Sequence, residues 1–339
     1  MKRRDVLAGM TLLASAVALA GNAEQAASTD LDKLLARWDE DEHADLKGVV
    51  VRQRGRIIAE RYYNGDRADT LHDMRSAGKS ITSLLLGAAV DRQLIHDIND
   101  SVQRYWPESR GSAIGDVKLS DVLTMRSGLA ANDEVEESPG NEAKLDEAND
   151  PLAFVLAVPR LTAPGTVYQY NSLTAYVAGL VVEKATAQSL QDFAGKVLFT
   201  PLGIKRFAWA RDVAGHTKGQ GNLSITARDM ASIGQMVLDG GRRDGRQVIS
   251  ANWIRDSLQA KVQTASVDPY ADSYGYFWYC RSFDVDGVAT VVHFASGNGG
   301  NKIYVVPARQ MVVAVTSSAY NRGYGQRRSQ AILKAILGT

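Results

Sequence analysis

Ser76 stands three residues before Lys79 in RSAGKSITSLLLGAAV, just where a long apolar run with helical character begins. Positions three apart stack on one face of a helix, so the lysine amine can reach the serine hydroxyl. A serine hydroxyl is a weak nucleophile until a neighbouring base takes its proton, and a partly desolvated lysine that gives up its own proton can be that base. The unpaired amides and positive dipole end of the helix N-terminus would lie beside Ser76, where an oxyanion forms during acyl transfer. The same spacing also arises from an N-cap serine followed by a solvated lysine, so this segment alone leaves both readings open.

Gly78-Lys79-Ser80 opening a helix also has the look of the end of a phosphate-binding loop. The glycine required five residues earlier is absent; Asp73 occupies that position, and its carboxylate would repel phosphate. The preceding TLHDMR is not a buried apolar strand. Nucleotide binding is therefore disfavoured.

Two further segments carry reactive groups. In PGTVYQYNS, residues 164–172, a turn leads into a helix and brings Tyr170 and Ser172. A tyrosine hydroxyl beside a lysine can share the base role or protonate a leaving group, although a half-buried tyrosine covering a helix start has the same sequence signature. HFASGNGG, residues 293–300, ends one strand and precedes the next, and its three glycines in four positions permit close backbone approach to a ligand or simply a hairpin turn.

The elements that must position these groups follow from periodicity. Leu31 to Asp39 reads as a short helix, and Lys47 to Arg52 and Arg56 to Tyr63 as a hairpin. From Ser76 to about Leu258 the texture is helical, with apolar repeats in Ser80 to Val90, Leu119 to Met125, Ala175 to Lys184 and Ala227 to Leu238. The acidic stretch from Asn132 to Asn149 reads as a long loop, either functional or an ordinary solvated insertion. Strand character returns after Tyr270 in YGYFWYCRSF, VATVVHFASG, NKIYVVP and MVVAVTSS, and a helix from Gln326 to Leu337 closes the chain. The expected class is α+β: an antiparallel sheet built from both chain ends and flanked by helices, residues 31–75 and 259–339, with a mostly α-helical region, 76–258, inserted between them. The cleft would lie at their junction. Trp106, Tyr276, Trp278 and the 132–149 stretch fit its lining or the core equally well.

Composition narrows the partners. The chain opens MKRRDVLAGMTLLASAVALAGNA, a basic start, an apolar stretch and small residues, so residues 1–23 read as an export signal and the protein as periplasmic or secreted. Arg3-Arg4 suits a twin-arginine signal, and the stretch is too short for a membrane span. The 339 residues carry 39 basic and 38 acidic side chains; without Lys2, Arg3, Arg4 and Asp5 the balance is 36 against 37, a net charge of about −1 that offers nucleic acid no basic surface. Cys280 is the single cysteine, so no internal disulfide is available and an apolar content of 45% must supply stability. The five histidines, at 43, 72, 96, 216 and 293, show no metal-ligand spacing.

The three segments in this order, with HDMRSAGKSITSLLLG, VLTMRSGL, PGTVYQYNS, LSITARDMASIGQMVLDGGR and FASGNGGNKIYVVP, resemble the class C β-lactamase and penicillin-binding-protein family of β-lactamase-related serine hydrolases. Among these the motifs are similar to the 6-aminohexanoate-dimer hydrolase and esterase branch, over nearly all of residues 31–339. The resemblance implies a single β-lactamase/transpeptidase-like domain without cofactor or metal. It makes Ser76 the nucleophile, Lys79 its base and Tyr170 the first residue of the second box. It places Ala295, Ser296 and Gly297 on the third-box strand, and it makes the amides of Ser76 and Asn298 the oxyanion hole. Two positions depart from the pattern. Ser172 stands where Asn is usual, with Asn171 one residue out of step, and Ala295 stands where Lys or His is usual. Losing that cation weakens the case for a β-lactam or D-peptide carboxylate by roughly 1.5–3 kcal/mol. The resulting expectation is an acyl-enzyme hydrolase for a small ester or non-lactam amide. A β-lactamase or D-amino-acid peptidase is the alternative, and a penicillin-binding sensor without turnover is the non-enzymatic one.

Overall fold

Alternating and β-branched apolar residues in LKGVVVRQ and RIIAERY form Leu46–Gln53 (β1) and Arg56–Tyr62 (β2), an antiparallel pair that runs from Gly48 opposite Tyr62 to Gln53 opposite Arg56 with a shift of register between Val51 and Arg52. The computed structural model describes residues 30–338, so the signal read at residues 1–23 lies outside the described residues. After the helical middle come Val262–Gln263 (β3), Ser273–Tyr274 (β4), Tyr279–Val285 (β5), Val288–Gly297 (β6), Asn301–Val306 (β7) and Met311–Ser317 (β8). They join the first hairpin in one antiparallel sheet of order β2-β1-β8-β7-β6-β5-β4-β3. Both chain ends thus build one sheet, as the α+β reading requires. YGYFWYCRSF does not run as one strand: Gly275 to Trp278 turn between β4 and β5, with the Gly275 amide donating to the Trp278 carbonyl at 2.8 Å.

Helices cover both faces of this sheet. Gly78–Asp91 (α1), Ser172–Thr186 (α3) and Ala227–Leu238 (α4) share one core with Val50, Ile303, Val305, Val312 and Ala314. Gly323–Leu337 (α5) and Leu31, Leu34 and Leu35 cover the other face, over Val49, Val51, Phe294, Tyr304 and Val313. Double coverage explains why β7 and β8 read as unbroken apolar runs and are buried at every position. α1 and α3 are buried nearly all round, consistent with their weak amphipathicity in sequence, whereas α4, opened by a Thr226/Asp229 capping box, turns one apolar face to the sheet. The 132–149 stretch is not loop throughout: Glu142–Glu147 form a short helix (α2), capped by the Asn141 side chain accepting the Ala143 amide at 2.9 Å. Among the described residues no helix is long and apolar enough to cross a membrane.

α5 is tied to the sheet by a buried arginine. Arg328 reaches Asp41 (3.1 Å), Asp45 (2.5 Å) and the Ser317 hydroxyl (2.8 Å), linking the segment before β1, the end of β8 and the closing helix. Burial would push the Asp45 carboxyl up, but the Tyr324 hydroxyl and the Arg328 guanidinium outweigh it and hold it below its ordinary value. Removing one partner of such a cluster leaves the other charges desolvated and unpaired. Arg328→Ala is expected to lower unfolding free energy by about 3 kcal/mol in urea titration; a loss under about 0.5 kcal/mol would mean that the cluster is not structural.

Candidate active site

Ser76 lies in a short 3-10 turn, Arg75–Ala77, that delivers the chain into α1, so the nucleophile candidate precedes the helix proper. Arg75 takes a left-handed conformation, φ 51°, rare for a side chain of its size. Asp73 holds it there: one carboxylate oxygen accepts the Arg75 amide at 2.8 Å and the other accepts from Asn222 at 3.1 Å. The turn is also wedged against β6, because a Cβ on Gly297 would sit 2.0 Å from the Met74 carbonyl. The sequence segments that held Ser76 and Gly297 are therefore in backbone contact.

Lys79 is the centre of the arrangement. Only 2% exposed, it donates to Ser76 Oγ at 2.9 Å, to Ser172 Oγ at 3.0 Å and to the Gln220 carbonyl at 2.8 Å. Its Nζ also lies 5.0 Å from the centre of the Tyr170 ring. Burial by itself would push Lys79 down, but Tyr170, Glu142 and Asp133 overcome it and hold the lysine above its ordinary value. These neighbours favour the charged form of Lys79, against the desolvation that the sequence reading counted on.

The second box resolves its own irregularity. Asn171, one residue out of step, is the N-cap of α3, its side chain accepting the Thr174 amide at 2.7 Å, so its amide group is occupied by the helix end. Ser172 is the side chain that meets Lys79. Tyr170 is carried on a loop pinned by the Gln169 amide to the Met125 carbonyl at 2.8 Å. An aromatic ladder then joins this loop to the third box: Tyr168 to Tyr274 (5.4 Å), Tyr274 to Tyr279 (4.6 Å) and Tyr279 stacked on Phe294 (5.3 Å).

In the third box, β5 pairs with β6 only as far as Tyr279 opposite Phe294, while β7 continues to Gly297. One edge of Ala295, Ser296 and Gly297 is consequently unpaired beside the Ser76 turn. The Ala295 methyl is fully buried in the core under α1 and presents no polar group. Ser296 accepts a 2.6 Å hydrogen bond from Lys302, its cross-strand partner on β7. Lys302 is completely buried, and desolvation pushes it down to about 7. An amine absent from position 295 is thus present one strand away, a placement that only strand register could have disclosed. Asn298 stands with Ser76 on the cavity wall, its side chain joined to Asn321 at 2.6 Å.

The cavity above Ser76, about 330 Å³, is lined by Arg75, Asp133, Glu142, Asp146, Gln220 and Asn298, with Asn222 and Asn321 at its edge. Asp133, Glu142 and Asp146 come from the acidic stretch that the sequence left between function and solvation. Asp133 accepts the Ser172 amide at 2.7 Å, and its other oxygen is buried with no partner among the described residues. Asp146 is paired with Lys218 at 2.7 Å. Burial pushes the half-buried Glu142 up, against the pull of Lys79, with Asp133 and Asp146 adding to the rise. Trp106, Tyr276 and Trp278 are core residues rather than lining. A larger hollow of about 780 Å³ around Ser189, Lys196 and Phe207 contains none of the three boxes. Gly297→Ala is expected to displace the Ser76 turn and to cost about 100-fold in kcat/KM with the fold retained, read as hydrolysis rate beside circular dichroism; unchanged kcat/KM would show that the close approach is not needed.

A family model described as Beta-lactamase matches residues 35–337. The chain is 26% identical over 287 residues to the 6-aminohexanoate-dimer hydrolase of Paenarthrobacter ureafaciens, covering 79% of this chain and 71% of the relative. It is 29% identical over 185 residues to Esterase EstB of Burkholderia gladioli, 51% of this chain and 45% of the relative. Among solved structures, EstCE1, a hydrolase with promiscuous acyltransferase activity, superposes with a TM-score of 0.75 at 15% identity, covering 93% of this chain and all of that one, 100%.

Proposed function

The chain belongs to the Beta-lactamase family, and from that premise we propose that it is an exported serine hydrolase that forms an acyl-enzyme on Ser76 and cleaves a small ester or a non-lactam amide. The observation that carries this reading is the buried contact of Lys79 Nζ with Ser76 Oγ, 2.9 Å, at the wall of a cavity that a substrate can enter. Ser76 Oγ attacks the substrate carbonyl carbon, its proton passes to the Lys79 amine, and the carbonyl oxygen becomes an oxyanion held by the amides of Ser76 and Asn298. Collapse of the tetrahedral species expels the alcohol or amine, which takes a proton from Lys79 or Tyr170. Water then releases the acyl group by the same route in reverse.

The substrate preference rests on charge. Three carboxylates, of which one is paired with Lys218, line the cavity, and position 295 offers a buried methyl instead of a cation. Both disfavour a substrate held by its own carboxylate. The relatives named above, one an amide hydrolase and one an esterase, point to the same two substrate classes. A second reading, β-lactamase or D-amino-acid peptidase, is favoured by one observation: Lys302 places an amine on Ser296. Export is proposed from the residue pattern of 1–23.

Hydrolysis of p-nitrophenyl butyrate, nitrocefin and a 6-aminohexanoate dimer, compared in the protein and in Ser76→Ala, separates these readings. Ester or linear-amide turnover that falls by at least about 1,000-fold in Ser76→Ala is expected. Activity unchanged in that variant would sink the mechanism, rapid nitrocefin cleavage would promote the β-lactamase reading, and one burst without turnover on all three would favour a sensor.

A further inference from the structure

An oxyanion amide belongs to a rigid peptide unit, and the far end of that unit decides where its N–H points. A trans peptide is planar with its C=O and N–H antiparallel, and among the described residues no peptide is cis. The Ser76 N–H is therefore aimed by the Arg75 carbonyl, which accepts the Gly78 amide as α1 begins. The Asn298 N–H is aimed by the Gly297 carbonyl, at the point where the β6–β7 ladder ends with Gly297 opposite Asn301. A side chain from the other face of the sheet meets that carbonyl: Gln326, in the first turn of α5, donates to it from Nε2 at 2.8 Å.

We propose that Gln326 is a positioning residue for acyl transfer: it holds the Gly297 carbonyl on the α5 side and so turns the Asn298 N–H towards the Ser76 side, where the oxyanion forms. A donor on the carbonyl also polarises the peptide and strengthens the N–H at its other end. Gln326 touches neither substrate nor the reacting atoms and acts through this one peptide. The inference rests on the serine-hydrolase reading above and deepens it, because the two oxyanion donors then have separate supports, α1 for Ser76 and α5 for Asn298.

The surroundings of Gln326 fit this task. α5 docks on the 298–300 turn without the Gln326 side chain: a Cβ on Gly325 would sit 2.4 Å from the Gly299 carbonyl oxygen, and the Ser329 hydroxyl donates to the Gly300 carbonyl. The Asn298 side chain is committed elsewhere. Its Nδ2 donates to Asn321 Oδ1 at 2.6 Å and its Oδ1 accepts the Asn321 amide at 2.7 Å, so residue 298 offers the cavity its backbone N–H. Gln326 Oε1, in contrast, is buried with no partner among the described residues. Only the NH2 end of this amide is used, and a buried acceptor without a donor is a cost that a mere spacer has no reason to carry.

The test compares the protein with Gln326→Met, Gln326→Glu and Ser76→Ala. It reads kcat and KM for p-nitrophenyl butyrate, the inhibition constant of butylboronic acid, whose tetrahedral adduct on Ser76 puts an oxygen at the oxyanion position, and thermal melting. Gln326→Met keeps the volume and loses the donor. Its kcat is expected to fall about 30-fold with KM within about twofold, since acylation and deacylation both pass through an oxyanion and slow together; butylboronic acid is expected to weaken by a similar factor. Gln326→Glu is isosteric and carries the test alone should Gln326→Met not fold. Its ionised carboxylate cannot donate to the Gly297 carbonyl, whereas the protonated acid can. The ratio of its kcat to that of the parent is therefore expected to be low at neutral pH and to rise as the pH is lowered through the carboxyl titration. A kcat within twofold of the parent in either folded variant at neutral pH overturns the inference. So does a loss carried by KM with boronate affinity unchanged, or a Gln326→Glu ratio that stays flat with pH. Any of these, with Ser76→Ala inactive, leaves the hydrolase reading standing. Full activity in Ser76→Ala overturns both.

Discussion

One buried lysine, Lys79, organises the active site of this protein. Lys79 carries three N–H donors, and the fold must supply three acceptors inside a core where an unsatisfied charge is costly. They come from three different places in the chain: Ser76 on the turn before α1, Ser172 at the head of α3 and the Gln220 carbonyl on the loop before α4. Satisfying one side chain therefore fixes three segments relative to one another. Two of those segments, the Ser76 turn and the Gln220 loop, also line the cavity, so the electrostatic requirement helps to set the shape of the site.

The architecture around Lys79 keeps this constraint from relaxing. α1 and α3 are packed on nearly every side, which leaves the lysine no route to solvent by rotation of its helix. The nucleophile turn is held from below by the backbone of Gly297 and from the side by Asp73, while the aromatic ladder from Tyr168 to Phe294 fastens the Tyr170 loop to the same strand. On the opposite face of the sheet, Arg328 and Asn301 fix the ends of β7 and β8 that carry the residues following Gly297. The reactive groups thus sit on rigid elements, and the acidic stretch is the part that is added over them. Its Asn141 caps α2 and donates to the carbonyls of Asn132, Asp133 and Val135, so even this insertion is held in one shape.

Legibility in the sequence followed the range of the interaction. Ser76 with Lys79 is a local pair, and helical spacing alone brings the two together. The strands at the two chain ends could be read because β-branched runs and turn residues are local signals too, and Ala227–Leu238 agrees at both ends because its cap and amphipathic face are local. The meeting of Lys79 with Ser172 spans 93 positions and was visible only through the resemblance to a family. Glu142 and Asp133 were marked no more closely than as part of an acidic stretch, since nothing in their spacing says which carboxylate turns inward. Lys302 was missed because its role depends on strand register, which places it opposite Ser296. The left-handed Arg75 was equally hidden: that conformation is imposed by Asp73 and by contact with β6, and no arginine announces it.

The central claim is that acyl transfer passes through the hydroxyl of Ser76. The most direct measurement is mass spectrometry of the protein quenched in acid during turnover of a p-nitrophenyl ester, followed by peptide mapping. The account predicts one acyl group per chain, on the peptide containing Ser76, formed as p-nitrophenol is released and lost as the substrate is exhausted. Turnover with no adduct at Ser76, or with the acyl group on another residue, would contradict it.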